Sequence, residues 1–212
     1  EHTVAEDIDA EKARVRAAFQ TMRAQIDKMM SQAEFAVSGE HADILETYKM
    51  FAFDEGWARR IDEAIDAGLT AEAAIERVQQ RTRASMRKTQ DPYLLERLTD
   101  LDDLSNRLIR IVAGQMGTTA QLGLSDDTIL VARNLGPAEL LEYDRRRLKG
   151  LVLEEGSLTA HVTILARAMG VPMLGRARGV REMVNPGDPL ILDVSAEALF
   201  VRPGKDIVRN YE

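Results

Sequence analysis

Glu155-Gly156-Ser157-Leu158-Thr159-Ala160-His161 sets a single imidazole just after a glycine-bearing turn and at the head of an apolar, helix-spaced run that ends near Gly170. A histidine near a helix N-terminus lies beside backbone N–H groups with no partner inside the helix and beside the positive end of the helix dipole. That setting suits a ring about to carry negative charge, and a phosphoryl group is the natural source of it. A nucleophilic imidazole needs one free nitrogen, while a hydrogen bond to the other fixes the tautomer. Thr159 is predicted as N-cap, with His161 at about the second helical position, Gly170 as C-cap and Pro172 beyond it. Ile164, Leu165 and Ala168 are predicted to face inward, and Arg167 lies about two turns along, where it either adds positive charge or is an ordinary solvated residue. Spacing alone favours a capping or part-buried histidine with no chemistry.

The elements that position this residue change character midway. Phe19, Met22, Ile26, Met29 and Ala33 recur at helical steps, Ile44, Tyr48 and Phe51 form a second stripe, and Trp57, Ile61 and Ile65 follow a possible bend at Gly56. Thr70 is placed to cap a helix through Ala74, Ile75 and Val78. Asp91-Pro92 opens another, with Leu94, Leu98, Leu101, Leu104, Leu108 and Ile111 along one face. After Gly114 the apolar runs shorten. Strands are predicted at 128–132, 150–153, 171–174, 190–193 and 199–202, with a helix opened by Gly136-Pro137 and another containing His161. The expected fold has two parts: an antiparallel helical bundle of paired hairpins over 1–115, then a small α/β layer over 116–205, with 206–212 starting a linker.

Composition narrows the class. The 212 residues carry a formal net charge of -7, no cysteine and 45% hydrophobic residues. Disulfides, thiolate metal sites and cysteine nucleophiles are excluded. No apolar run reaches the roughly 18 residues of a membrane span, no signal-peptide pattern opens the chain, and a cytoplasmic location is the default expectation. The acidic balance disfavours nucleic acid as a partner and suits a basic protein. His2 and His41 lie far from His161 in sequence and no metal-ligand spacing is present, so no metal is expected here. A Ser157, His161 and Asp193 hydrolase triad lacks the nucleophile elbow such enzymes use.

Gly156 to His161, then Ile164-Leu165-Ala166-Arg167 and Gly170-Val171-Pro172, resemble the phosphohistidine signature GGxTSHxxIxAR of enzyme I of the bacterial phosphotransferase system. Ile129–Ala132, Leu190–Asp193 and Leu199–Pro203 resemble strands of that family's phosphohistidine domain, and Ile44–Glu55 and Tyr93–Leu108 resemble its helical carrier-binding subdomain. The signature is departed from at Ser157, which replaces its second glycine, and at Ala160, which replaces its serine; Leu140 stands where the preceding helix often has threonine. The resemblance implies that His161 takes a phosphoryl group originating in phosphoenolpyruvate and passes it to a histidine of a small HPr-like carrier. Gly156, Thr159 and Arg167 would support the phosphohistidine helix.

On the helical side, Met50 and Phe51 would touch the carrier, Glu46, Asp54 and Glu55 would meet its basic rim, and Arg107 and Arg110 would point to the same cleft. Before the resemblance, the spacing of Met50, Phe51, Phe53 and Trp57 fits core and interface equally. The wording of 46–57 is most like the nitrogen-related branch, in which a GAF sensory domain often comes first. The family's opening strand is absent, so the chain is expected to begin inside a longer protein. No cofactor is expected in this region. The phosphoenolpyruvate site and its magnesium belong to a C-terminal domain, and the full-length protein is expected to be a homodimer. Alone, the chain is expected to exchange phosphate with a phosphorylated carrier but not to be charged by phosphoenolpyruvate. Two other readings are the swivelling phosphohistidine domain of a dikinase or phosphoenolpyruvate synthase, and a noncatalytic helical interaction module.

Overall fold

The structure, a computed structural model, describes residues 3–32, 40–115, 123–156 and 161–212. The chain divides into two compact units, Glu1–Thr118 and Thr119–Glu212.

Among the described residues, five helices form the first unit: α1 (Ile8–Gln32), α2 (Glu40–Ala52), α3 (Glu55–Asp66), α4 (Ala71–Met86) and α5 (Pro92–Val112). α1, about 37 Å long at the helical rise, packs against each of the other four. Its Val15, Ala18, Phe19, Met22 and Ile26 meet a core of Ile44, Leu45, Tyr48, Trp57, Ile61, Ile65, Ile75, Leu104 and Leu108. The Phe19 and Trp57 rings meet edge to face at 5.1 Å, a favoured aromatic geometry. Ala33, the last residue of the expected α1 stripe, lies outside the described residues.

Helix starts follow their capping residues. Thr70 Oγ1 accepts from the Ala73 N–H, and Asp91 Oδ1 accepts from the Tyr93 N–H with Pro92 at the first helical position. The break between α2 and α3 falls at Asp54, two residues before Gly56, the expected bend, which instead lies in the first turn of α3: Asp54 accepts from the Gly56 and Trp57 N–H groups at 2.9 and 3.2 Å. Glu11 of α1 adds a long-range tie, its Oε2 accepting from the Ala71 N–H at 2.7 Å while Arg14 bonds both Glu11 and Glu72. The α5 stripe is only partly buried. Leu104 and Leu108 are sealed, Leu98 and Leu101 half-buried, and Leu94 and Leu95 exposed, because α5 reaches beyond the apolar faces of α1 and α4 at its N-terminal end.

The second unit holds β1 (Thr128–Ala132), α6 (Pro137–Glu142), β2 (Leu148–Leu153), α7 (His161–Ala168), β3 (Met173–Leu174), α8 (Val180–Met183), β4 (Leu190–Asp193), β5 (Ala198–Val201) and α9 (Lys205–Tyr211). β1, β2 and β3 form a parallel sheet in that order, with Leu130 opposite Leu151 and Val131 opposite Val152. β2 lies in the middle, and its Leu151, Val152 and Leu153 are fully buried, the near-continuous apolar run of a central parallel strand. β3 pairs over Met173 and Leu174 alone, shorter than the predicted 171–174, since Gly170 and Val171 close α7 instead. β4 and β5 form an antiparallel hairpin.

The hairpin meets the sheet closely at Gly150, where a Cβ would lie 2.8 Å from Leu192 Cδ2 and the leucine side chain would have to shift. α8 was not predicted, and part of the expected linker is the helix α9. Tyr211 at its end donates to Asp193 Oδ2 at 2.7 Å and lies 5.7 Å from the Phe200 ring. The Ala196 N–H and the Tyr211 hydroxyl together hold the Asp193 carboxyl below its usual range. No helix among the described residues is long and apolar enough to cross a membrane.

Candidate functional site

His161 is the first residue of α7 and is half-buried. Thr159, the expected N-cap, lies with Ser157, Leu158 and Ala160 outside the described residues. The helix turns Val162, Thr163, Leu165 and Ala166 inward. This corrects the predicted inward set, since Ile164 and Ala168 are half-buried: the buried positions follow an i, i+3, i+4 rhythm from Val162, with Met169 continuing it. The C-terminal end is closed by two bonds, Gly170 N–H to Arg167 O at 3.0 Å and Val171 N–H to Ala166 O at 2.9 Å. Gly170 has φ +68, and the pair of bonds is a Schellman motif, for which a glycine is best suited.

Gly156, with φ +111, ends the described approach to the helix, in a left-handed region natural to glycine. Arg167 is exposed in the last turn, about 9 Å along the axis from His161 and turned well off its face. It complements the carbonyl end of α7 rather than the end that carries the imidazole. Leu140, at the position where the family resemblance expects threonine, is fully buried in α6, which packs on α7. Its apolar side chain offers no hydrogen bond. Beside it, Tyr143 is held neutral: burial first, then Glu139 and Glu142, push its hydroxyl up to about 12.

The residues expected to receive a carrier separate into two groups. Glu46 and Glu55 are exposed, Met50 is 53% exposed and Phe51 half-buried, all on α2 or at the start of α3. Phe53, between the two helices, is exposed, and Arg23 lies 5.2 Å from both its ring and that of Phe19 while donating to Ala52 O. Asp54 is first a helix cap, although half of its side chain still meets solvent.

Arg107 departs from its expected role. It is 4% exposed, and Nε and Nη2 both donate to Gln25 Oε1, at 3.1 and 2.9 Å, so it ties α5 to α1. Arg110 is half-buried in the last turn of α5. Arg97 stands 5.9 Å from the Phe51 ring of α2 and 4.5 Å from the Tyr93 ring of its own helix. Its spacing of four from Tyr93 was the available sequence signal.

Comparison with known proteins gives the same two-part division. Residues 1–97 match the family model described as PEP-utilising enzyme, N-terminal, and residues 124–197 match PEP-utilising enzyme, mobile domain. A phosphoenolpyruvate-protein phosphotransferase of Haemophilus influenzae is 30% identical over 93% of this chain and 34% of its own length. One from Streptomyces coelicolor is 33% identical over 95% of this chain and 35% of its own. The chain therefore spans about a third of the length of these curated relatives. A solution structure of enzyme I, 26% identical, covers 99% of this chain and 85% of that one with a TM-score of 0.77. With the two domain models in the same order as the two units, and relatives of this kind along nearly all of its length, the chain belongs to the enzyme I family of phosphoenolpyruvate-utilising enzymes, as an N-terminal region.

Proposed function

We propose that His161 is a phosphoryl relay, accepting the phosphoryl group of phosphoenolpyruvate bound by a separate C-terminal domain and giving it to a histidine of a small HPr-like carrier in the cytoplasm. The observation that carries this reading is the placement of His161 as the opening residue of α7, where the N–H groups of the first turn and the helix dipole favour an incoming anion. In the first transfer a ring nitrogen attacks phosphorus, the P–O bond breaks and enolpyruvate departs. In the second, the carrier's ring nitrogen attacks, the P–N bond to His161 breaks, and the imidazole is regenerated. Positioning and charge compensation are most of what such a transfer asks of the protein.

The helical unit supplies the docking surface. Residues 1–118 hold 22 acidic and 16 basic side chains, and exposed Glu46 and Glu55 flank Met50 and Phe51, a pattern that suits a basic, apolar-centred partner. The wording of 46–57 favours the nitrogen-related branch. Magnesium is assigned to the C-terminal domain, so exchange between this chain and the carrier should proceed in the presence of a chelator.

The test incubates the chain with phosphorylated carrier and seeks an acid-labile, base-stable phosphoryl adduct. Label on the native chain and none on His161→Ala is expected. Equal labelling of the two refutes the relay.

A further inference from the structure

The parallel order of β1, β2 and β3 brings their carboxyl ends to one edge of the sheet, where ligands of open α/β layers are bound. Backbone hydrogen bonds sew the segments leaving these strands together. Glu154 N–H donates to Ala132 O and Glu155 N–H to Arg133 O, joining the ends of β1 and β2. Ala177 N–H donates to Leu153 O at 2.9 Å, laying the turn after β3 on the end of β2. Gly175 in that turn lies against the end of β2, its Cβ position 3.5 Å from Gly156 O, an ordinary contact distance. α7 leaves from this same edge, because it connects the carboxyl end of β2 to a strand parallel to it, so His161 at its start shares the edge with these turns.

Four arginines lie on the segments that follow the strands. Arg133 pairs with Glu155 at 2.9 Å and Arg181 with Glu154 at 3.1 Å. Arg176 and Arg178 are exposed, and among the described residues neither has a carboxylate partner. Arg176 also has φ +57, a left-handed backbone that a residue with a Cβ disfavours, closed by a bond from Arg178 N–H to Arg176 O at 2.9 Å. A glycine would suit that position better, and the chain places a cation there instead. The helix's own cation, Arg167, is at the far end of α7.

We propose that Arg176 and Arg178, on the turn after β3, are positioning residues that compensate the charge of the phosphoryl group carried on His161. The inference rests on the relay reading of His161 and adds to it a source of positive charge outside the phosphohistidine motif. A dianionic group on the imidazole gains from two unneutralised guanidinium groups at the same sheet edge, and guanidinium is the side chain best matched to phosphate oxygens.

The test uses the 212-residue chain and phosphoramidate as a small phosphoryl donor, which removes the carrier from the experiment. The unprotonated ring nitrogen attacks phosphorus, the P–N bond to the donor's nitrogen breaks, and ammonia leaves as ammonium with the ring's remaining proton. His161→Ala corrects for label on other residues. Arg176→Gln with Arg178→Gln is expected to lower the equilibrium extent of His161 labelling by about tenfold at low ionic strength, the scale of two partly screened charge pairs. Added salt should shrink the difference, and the double lysine variant should recover most of the label.

Arg176→Gly separates charge from folding, because glycine suits φ +57: it should unfold no more easily than the native chain and yet label less. Labelling of the glutamine and glycine variants equal to the native level, with the same salt dependence, overturns the inference and leaves the relay standing. Absence of His161 label in the native chain overturns the relay and the inference together.

Discussion

Replacing Tyr48 by Phe removes one hydroxyl from the interior of the helical unit. Tyr48 is 1% exposed, and its hydroxyl donates to Asp103 Oδ2 at 2.6 Å, joining α2 to α5. A hydrogen bond to a charged acceptor contributes about 1.5–3 kcal/mol, so Tyr48→Phe should cost about 2 kcal/mol. That is a large part of an ordinary domain stability of about 5–15 kcal/mol. With a urea dependence of about 2 kcal/mol per molar, the unfolding midpoint should fall by about 1 M.

Trp57 is the chain's single tryptophan, buried in this unit, so its fluorescence in urea follows the helical unit alone. A cycle with Asp103→Asn isolates the pair, and the coupling should exceed about 0.5 kcal/mol. The pH dependence supplies a second arm. Burial first, then the charges of Asp103 and Asp100, hold the Tyr48 hydroxyl well above its usual value, so the folded state binds this proton more tightly than the unfolded one. Its stabilising share is therefore complete below about pH 10 and is lost as the pH rises through and beyond that point. Tyr48→Phe should lack this part of the alkaline decline. A midpoint unchanged by the substitution, or an identical decline above pH 10, would refute the role given to this bond.

Gly150→Val should destabilise the second unit by about 1–3 kcal/mol, since the new side chain starts 2.8 Å from Leu192 Cδ2. Amide exchange in β2 should accelerate while the Trp57 transition stays put, and Leu192→Ala in the same chain should restore part of the loss. Unchanged exchange would show that the hairpin does not press on the sheet at this point. Asp54→Ala should cost the helical unit about 1 kcal/mol by removing the acceptor for the Gly56 and Trp57 N–H groups, and Asp54→Asn less, read from the Trp57 midpoint in urea. Equal costs for the two would mean that the charge, and not the cap, is what Asp54 contributes.

Periodicity made the helical unit legible, because each helix buries one face and Thr70 and Asp91 announce the starts of α4 and α5, whereas Asp54, the cap of α3, reads in sequence as a carrier contact. The α/β layer was legible as alternating short runs, and the motif singled out His161. Tertiary choices were harder to see. Arg107 looks like a surface cation in sequence, yet a single carbonyl oxygen from Gln25, 82 residues away, accepts two of its bonds and draws it inside. The register of α7 differs from the sequence expectation at Ile164 and Ala168 because an eight-residue helix of about two turns offers two competing apolar faces, and packing against β3 and α6 selects between them. That the turn carrying Arg176 and Arg178 lies at the same sheet edge as the start of α7 was not legible, since only the parallel pairing of β3 with β2 brings it there.

The bond from Ala71 N–H to Glu11 also has a bearing on how helices settle against one another. Apolar faces are forgiving of translation, and a helix moved by one turn, about 5.4 Å, presents a similar stripe to its neighbour. A carboxylate that must meet a single N–H at the buried beginning of α4 has only one acceptable position. Glu11 thus acts as a vernier mark between α1 and α4, and Glu11→Gln, which keeps the acceptor, should preserve the alignment that Glu11→Leu would leave free to slip.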